Sequence, residues 1–364
     1  CCKEHGLKAV PLVQTFGHVE WCLSQARYAG LREFADEPKQ IRACDGKSWD
    51  VLRAWVAALI EAHADCPYIH LGADEAWKLR DVDRPECSAK REGASAVFLR
   101  HMKPLFDQVL AAGKRPIIWA DMVLRHPEQM GDFPKEVVFC DWLYSQTSEY
   151  DAAVHGWDLG RIAADTYEAL PARAKELFGR YWRMDAQDFP ARFYQFPYLP
   201  FLRDRGFDVI AGPSTLYAGN SFAGTNLPRA RANQRGWLNA AQRFGGLGAL
   251  NTCWAVRGAL REGTRTGHRA FLFMGRQAAD MPGDREVSEA CWRPSAGAAA
   301  ARVAEAVDGL APCVDPFSRT APLSFDAVTR THRPVGYDQR LATFGEAMSK
   351  IEDWPASRSR WAVW

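Results

Sequence analysis

His70-Leu71-Gly72-Ala73-Asp74-Glu75-Ala76-Trp77 is the stretch on which the reading of the fold turns. Residues 67–71 read as a short buried strand, Gly72-Ala73 lets the chain bend, and two adjacent carboxylates follow. Consecutive side chains of a regular strand point to opposite faces. Asp74 and Glu75 therefore serve one pocket only if the strand has ended before them, which the glycine allows. Taken alone, the pair reads equally well as a helix cap or an exposed acidic pair, so its surroundings decide.

Working outward, apolar runs of the same kind recur at residues 8–15, 116–120, 137–142, 208–212 and 247–254, separated by helix-like segments. That alternation is the pattern of parallel strands joined by crossover helices. Ser48 is placed to cap a helix whose Val51, Leu52, Trp55, Val56, Leu59 and Ile60 share one face. A second helical pattern carries Val97, Phe98, Met102, Leu105, Phe106 and Val109 and closes at Gly113; Pro104 predicts a kink or a late start there. Six runs exceed a small open sheet, and a short strand near residues 40–44 would make seven. The predicted fold is therefore α/β, a (β/α)8 TIM-type barrel. No strand is read ahead of residue 8, so either the first βα unit is absent from this chain or another segment takes its place. After Trp254 the pattern changes, and residues 269–279, 298–310 and 341–351 read as helices. The expected division is a catalytic barrel, incomplete at its amino end, over residues 1–268 and a mainly helical extension over 269–364.

Composition narrows the function classes. The 364 residues carry 46 Lys plus Arg against 44 Asp plus Glu, and no block of five or six like charges occurs. The apolar runs stop far short of the roughly 18–20 residues that cross a bilayer. No nucleic acid and no membrane is expected as a partner. Ten dispersed cysteines form no CxxC pair and read as buried free thiols. With no visible export signal and no glycosylation acceptor, they suggest a reducing, cytoplasmic interior. Fourteen tryptophans are many for this length, and such rings fill cores or stack on ligands.

Polar and aromatic residues gather where the strands should end, which in a β/α barrel is where the chemistry is held. Gln14, His18 and Glu20 follow the first run, Trp119 and Asp121 the third, Asp141, Trp142 and Tyr144 the fourth, Ser214 and Tyr217 the fifth, and Trp254 the last. Each aromatic alone is more easily explained as core. Together, carboxylates ringed by Trp and Tyr describe a sugar site, with rings on the apolar faces of a pyranose and carboxylates on its hydroxyls. Two carboxylates can divide the tasks of a glycosidase, one protonating the leaving oxygen and the other stabilising positive charge. His70 lies before the turn and reads as a residue that fixes the strand end through hydrogen bonds.

The run from Val10 to Trp21, then Leu31-Arg32-Glu33, then His70 to Trp77, resembles the β-N-acetylhexosaminidases of glycoside hydrolase family 20, most closely the hexosaminidase D branch. Further matches are Trp119-Ala120-Asp121-Met122, Gly212-Pro213-Ser214 with Asn233 and Trp237, and Asn251-Thr252-Cys253-Trp254. The resemblance implies a β/α barrel that removes terminal β-linked N-acetylglucosamine or N-acetylgalactosamine from a glycan with retention, through an oxazolinium ion formed by the substrate's own acetamido group. It implies Glu75 as acid and then base, and Asp74 as the group that orients the acetamido N–H. Trp119, Trp142 and Trp254 would wall the acetamido pocket, and Tyr217 would donate to the acetamido oxygen. Tyr144 is grouped with the substrate-binding residues, His18 and Glu20 lie near the mouth, and Asp121 would bind sugar hydroxyls. Cofactor and metal are both expected to be none. Trp254-Ala255-Val256-Arg257 departs from relatives that carry an acid two places beyond the tryptophan, so substrate scope can differ. Two other readings stay open: a glycosidase whose nucleophile is a protein carboxylate, with Glu20 or Asp121 available, and a carbohydrate-binding barrel without turnover. The chain does not disclose oligomeric state.

Overall fold

In the computed structural model, residues 2–217, 227–254, 261–277, 279–283, 286–287 and 290 are described. Predicted helices at residues 298–310 and 341–351 lie outside them. The chain divides into two compact units. The first comprises residues 1–142, 150–211 and 244–248; the second comprises 143–149, 212–243 and 249–364.

The first unit is built on the runs the sequence marks as strands. Tyr68–His70, Arg115–Trp119, Val138–Trp142, Asp208–Gly212 and Gly248–Ala249 form one five-stranded sheet in chain order. The first three pair in parallel, with His70 opposite Ile117 and Trp119 opposite Cys140. At the outer edge, residues 8–15 contribute only a parallel bridge, Leu12 to His70, with Val13 N–H bonded to the His70 carbonyl at 2.9 Å. Parallel strands need covering on both faces and long crossovers, and the helices supply them. Gly46–Ala62 buries Leu52 and Val56, while Ala94–Ala111 buries Val97, Phe98, Met102, Leu105, Phe106 and Val109. Each such side chain withdrawn from water contributes about 1.5–3 kcal/mol, an upper figure because the unfolded chain already hides some of it.

Three local expectations are corrected. The segment near residues 40–44 is no member of the parallel sheet: Glu37–Ile41 pairs antiparallel with Arg32–Phe34. Only Ala35 and Asp36 join the two strands, and a connection that short can make a hairpin but not a crossover. Ser48 does not cap the first long helix. Asp45 does, its Oδ2 accepting the Ser48 N–H at 2.9 Å, because a carboxylate three residues upstream reaches the free helical N–H. The late start predicted from Pro104 is not seen either, since Ala94–Ala111 begins well ahead of it and carries the proline inside.

Between the fourth and fifth runs lies a layer the sequence reading did not resolve. Short antiparallel pairs, Ala153–Gly156 with Gly160–Ala163 and Tyr150–Asp151 with Phe193–Tyr194, lead to helices Ala172–Arg183 and Tyr198–Arg203. Phe178, Trp182, Tyr198 and Phe201 pack there at ring separations of 4.6–5.6 Å. Part of the tryptophan excess is thus core.

In the second unit, Ser214–Leu216 and Thr252–Cys253 pair in parallel. Asn233 on helix Leu227–Phe244 ties this unit together: Oδ1 accepts the Ser214 N–H at 3.1 Å, and Nδ2 donates to the carbonyls of Leu143 and Gln146 at 2.9 Å. Trp237 Nε1 donates to the Leu143 carbonyl at 3.1 Å. Helix Arg261–Arg276 buries Ala270 and Met274 against Leu238 and Val287, and the boundary expected between residues 268 and 269 falls inside it. Among the described residues seven cysteines are free thiols, of which Cys22, Cys66, Cys87 and Cys140 are buried. No helix among them is long and apolar enough to cross a membrane.

Candidate active site

The turn after Tyr68–His70 is left-handed at three of its four residues: Gly72, Ala73 and Glu75 have φ of 64°, 69° and 51°. For Ala73 and Glu75 that conformation costs about 1–2 kcal/mol each, so it persists only because its surroundings hold it. His70 Nδ1 accepts the Gly72 N–H at 3.0 Å, Gln14 Oε1 accepts the Ala73 N–H at 3.2 Å, and Asp121 Oδ2 accepts the Glu75 N–H at 2.9 Å. The Gly72 carbonyl in turn accepts the Trp119 N–H at 3.0 Å. The turn thereby breaks the alternation of the strand and brings Asp74 and Glu75 to the same neighbour.

That neighbour is His18, itself at φ 55°. Its Nε2 lies 2.9 Å from Glu75 Oε2 and 3.7 Å from Asp74 Oδ2, and its Nδ1 lies 3.9 Å from Glu20 Oε1. Lys39, on strand Glu37–Ile41, places Nζ 3.3 Å from the same Glu75 oxygen. Asp74 is buried, and its Oδ1 has no hydrogen-bond partner among the described residues. Glu75 keeps about a quarter of its side chain exposed.

Asp121 is fully buried, its second oxygen accepting from Trp142 Nε1 at 3.4 Å. His70 is buried with its ring 4.6 Å from that of Trp119, and Trp142 meets Trp157 edge-on at 4.9 Å. Asp141, one residue before Trp142, is also fully buried, and no side chain among the described residues donates a hydrogen bond to its carboxylate.

The charges follow from these contacts. Burial raises Glu75, but the hydrogen bond from His18 and the charges of Lys39 and His18 outweigh it, so its pKa falls below the ordinary glutamate value. His18 is raised chiefly by its hydrogen bond to Glu75, against burial. Asp74 is raised by burial, which the charge of His18 and a hydrogen bond from Gln14 only partly offset. Asp121 is pushed up to about 8 by burial and by the negative charge of Asp74. Asp141 is pushed up to about 8 by burial, and His70 down to about 3 by burial alone. Two neighbouring acids therefore sit in unlike fields: one exposed to cations and ionised readily, one buried among acids and ionised reluctantly.

The remaining candidates lie in the second unit and meet one another. Trp254 Nε1 donates to Tyr144 Oη at 2.9 Å, the Tyr144 and Tyr217 rings are 5.5 Å apart, and the Arg229 guanidinium lies 4.7 Å from the Tyr217 ring centre. Among the described residues no group of three or more His, Cys, Asp or Glu is arranged to hold a metal.

Sequence reasoning passed over Lys39. A signal was present: Glu37, Lys39 and Ile41 alternate along one face of a strand, but that strand was looked for in the parallel sheet rather than in a hairpin laid beside the acids.

Residues 6–166 match the model of the Glycosyl hydrolase family 20 catalytic domain. Human hexosaminidase D is 29% identical over 157 residues, 41% of this chain and 32% of the relative; the bovine protein of that name is 29% identical over 126 residues, 34% and 36%. The chain thus spans about a third of the length of these curated relatives. Among solved structures, the family 20 β-N-acetylhexosaminidase from Streptomyces coelicolor A3(2) is 14% identical with a TM-score of 0.45, covering 88% of this chain and 55% of that one.

Proposed function

We propose, on the premise that residues 6–166 are family 20 catalytic-domain sequence, that the protein is an exo-acting β-N-acetylhexosaminidase that works with retention by substrate assistance. The observation that carries the reading is the left-handed turn that puts two consecutive acids beside His18 in different electrostatic settings. Glu75 protonates the glycosidic oxygen as the C1–O bond breaks, and its electron pair leaves with the aglycone. The acetamido oxygen forms the new bond to C1, giving an oxazolinium ion. Asp74 accepts the acetamido N–H, and its buried, unpartnered Oδ1 supports that role, because such an acceptor is costly until a donor reaches it. As charge grows on the acetamido group the interaction strengthens, which is the condition for it to speed the reaction. Glu75, now a carboxylate, then takes a proton from the water that adds to C1 and opens the ring.

Trp119 and Trp142, packed around the acid turn, are assigned to the acetamido group, and His18 and Glu20 to the sugar-binding mouth; for Trp254, Tyr217 and Tyr144, which meet one another in the second unit, substrate binding is proposed from the resemblance alone. For Asp121 a sugar-hydroxyl contact is less well supported than a role in holding the turn, since it is fully buried with both oxygens engaged. The same two bonds disfavour it as a covalent nucleophile. A closed eight-stranded barrel, a helical extension over residues 269–364 and a cytoplasmic setting are proposals that accompany this reading, as is a glycan or glycoconjugate bearing a terminal amino sugar as substrate.

The test is hydrolysis of chromogenic aryl N-acetylglucosaminides and N-acetylgalactosaminides. Wild type should turn over and be inhibited by a thiazoline mimic of the oxazolinium ion, and Glu75→Gln should lose on the order of 10²–10⁴-fold in rate. Equal rates for wild type and Glu75→Gln would remove Glu75 from the chemistry, and indifference to the thiazoline would remove substrate assistance.

A further inference from the structure

Glu75 Oε2 is held from two sides. His18 reaches it from the segment that follows the first strand run, and Lys39 from the hairpin, while no hydrogen bond reaches Oε1 among the described residues. Lys39 is not a loose surface lysine: less than a quarter of its side chain is exposed. Its carbonyl accepts the Val19 N–H at 3.1 Å, and Ile41 N–H bonds to the Phe16 carbonyl at 3.0 Å. The strand that carries Lys39 is therefore tied, at Lys39 and at Ile41, to the loop on either side of His18. Its ammonium also lies 5.9 Å from the ring centre of Trp77, two residues beyond the acid. Glu37, on the same strand, is occupied by Lys78, so Glu75 is the carboxylate within ion-pair reach of Lys39 among the described residues.

We infer that Lys39 is a positioning residue for the acid: with His18 it clamps Oε2 of Glu75, turns Oε1 toward the glycosidic oxygen, and takes part in setting the pH window of turnover. The inference rests on the acid role given to Glu75 above. Four side chains carry charge toward that carboxyl: His18 from the first loop with Glu20 behind it, Lys39 from the hairpin, and Asp74 from the turn itself. Asp121, from the start of helix Asp121–Arg125, meets Glu75 only at its backbone N–H. Lys39 brings the ammonium among them. Its attraction favours the ionised acid, and the first chemical step needs the protonated one. The chain thus gives up proton affinity at Glu75 for a fixed carboxyl and a ready base in the second step.

The experiment measures kcat/KM against pH on a neutral aryl N-acetylglucosaminide for wild type, Lys39→Met, Lys39→Gln and Lys39→Arg, with melting temperature for each. The Met and Gln variants should fold, and the limb of the profile that Glu75 governs should move to higher pH by about 1 unit or more, the scale that one adjacent opposite charge commands. Arg should restore the wild-type limb. The limb staying put in both Met and Gln variants that melt like wild type would overturn the inference, as would a loss confined to KM for anionic aglycones, which would make Lys39 a substrate contact. If neither uncharged variant folds, Lys39 is structural and the inference falls. Glu75→Gln is measured alongside. Full activity in that variant would sink the assignment of the acid, whereas its inactivity with an unmoved limb in the lysine variants sinks only the clamp.

Discussion

The most exacting consequence of this architecture concerns Gly17, whose Cα faces the back of the acid turn. A Cβ built there would lie 2.1 Å from the Asp74 carbonyl oxygen, 3.2 Å from the Ala76 nitrogen and 3.2 Å from the Glu75 carbonyl carbon. All three are backbone atoms, so no side chain can swing aside. Real Cβ contacts essentially never fall below 3.0 Å, so Gly17→Ala must drive the loop and the turn apart by about 0.9 Å. Four hydrogen bonds pin that turn, and the displacement falls on the residue that joins the two acids. Overpacking of this kind costs about 1–3 kcal/mol. At roughly 2–4 °C per kcal/mol for a domain of this size, melting should fall by about 2–12 °C. A misplacement near 1 Å at a reacting group costs on the order of 10²-fold in rate, so kcat should drop by that factor while much of the protein still folds. The assay pairs thermal melting by circular dichroism with kcat on the aryl N-acetylglucosaminide. Gly30→Ala serves as control, because a Cβ there meets nothing within 4 Å. If Gly17→Ala melts and turns over like the control, the close seating of the first loop on the acid turn is wrong, and with it the geometry assigned to Asp74 and Glu75.

Other outcomes follow from the same contacts. Asp121→Ala removes the carboxylate that accepts the Glu75 N–H and the Trp142 Nε1–H and should lower stability by about 1–3 kcal/mol, whereas Asp121→Asn keeps an acceptor and should lose less; chemical denaturation of the two variants measures the difference. Asp74 must be ionised and is raised, while Glu75 must be protonated and is lowered, so both shifts reduce the share of enzyme in the working form, and kcat/KM should fall on the acid and on the alkaline side of its optimum; a profile with only one limb would contradict the assignment. His101 is fully buried and neutral, its pKa pushed down to about 4 by burial, with Nδ1 accepting the Cys44 N–H and Nε2 bonded to the Thr15 carbonyl. The unfolded chain therefore binds a proton there that the folded one refuses. The stability this histidine contributes is present above the unfolded value of 6.5 and is lost as pH falls from there toward 4, by roughly 3 kcal/mol in all. Urea unfolding of wild type and His101→Gln from pH 7 to pH 4 should show the shallower fall in the variant.

What was legible from the amino-acid order was whatever depends on near neighbours. Apolar runs bounded by turn residues located the strands Tyr68–His70, Arg115–Trp119, Val138–Trp142 and Asp208–Gly212, because burial between two helical layers demands unbroken hydrophobicity. Gly72 announced the bend ahead of the acids, since a backbone at φ 64° favours a residue without a Cβ. The motif around Asp74 and Glu75 carried the resemblance to family 20, whose catalytic-domain model matches residues 6–166. Tertiary structure alone decided which atoms meet: that Glu37–Ile41 folds back as a hairpin beside the acids, that Lys39 reaches Glu75, and that Asp121 spends its oxygens on the turn. It also decided which aromatics fill the core, as Trp182 and Trp237 do. The reason is physical. A helix or strand is selected by the period of its own side chains, but the proton affinity of a carboxyl is set by groups brought within a few ångströms from far along the chain, as His18 is to Glu75 across 57 residues.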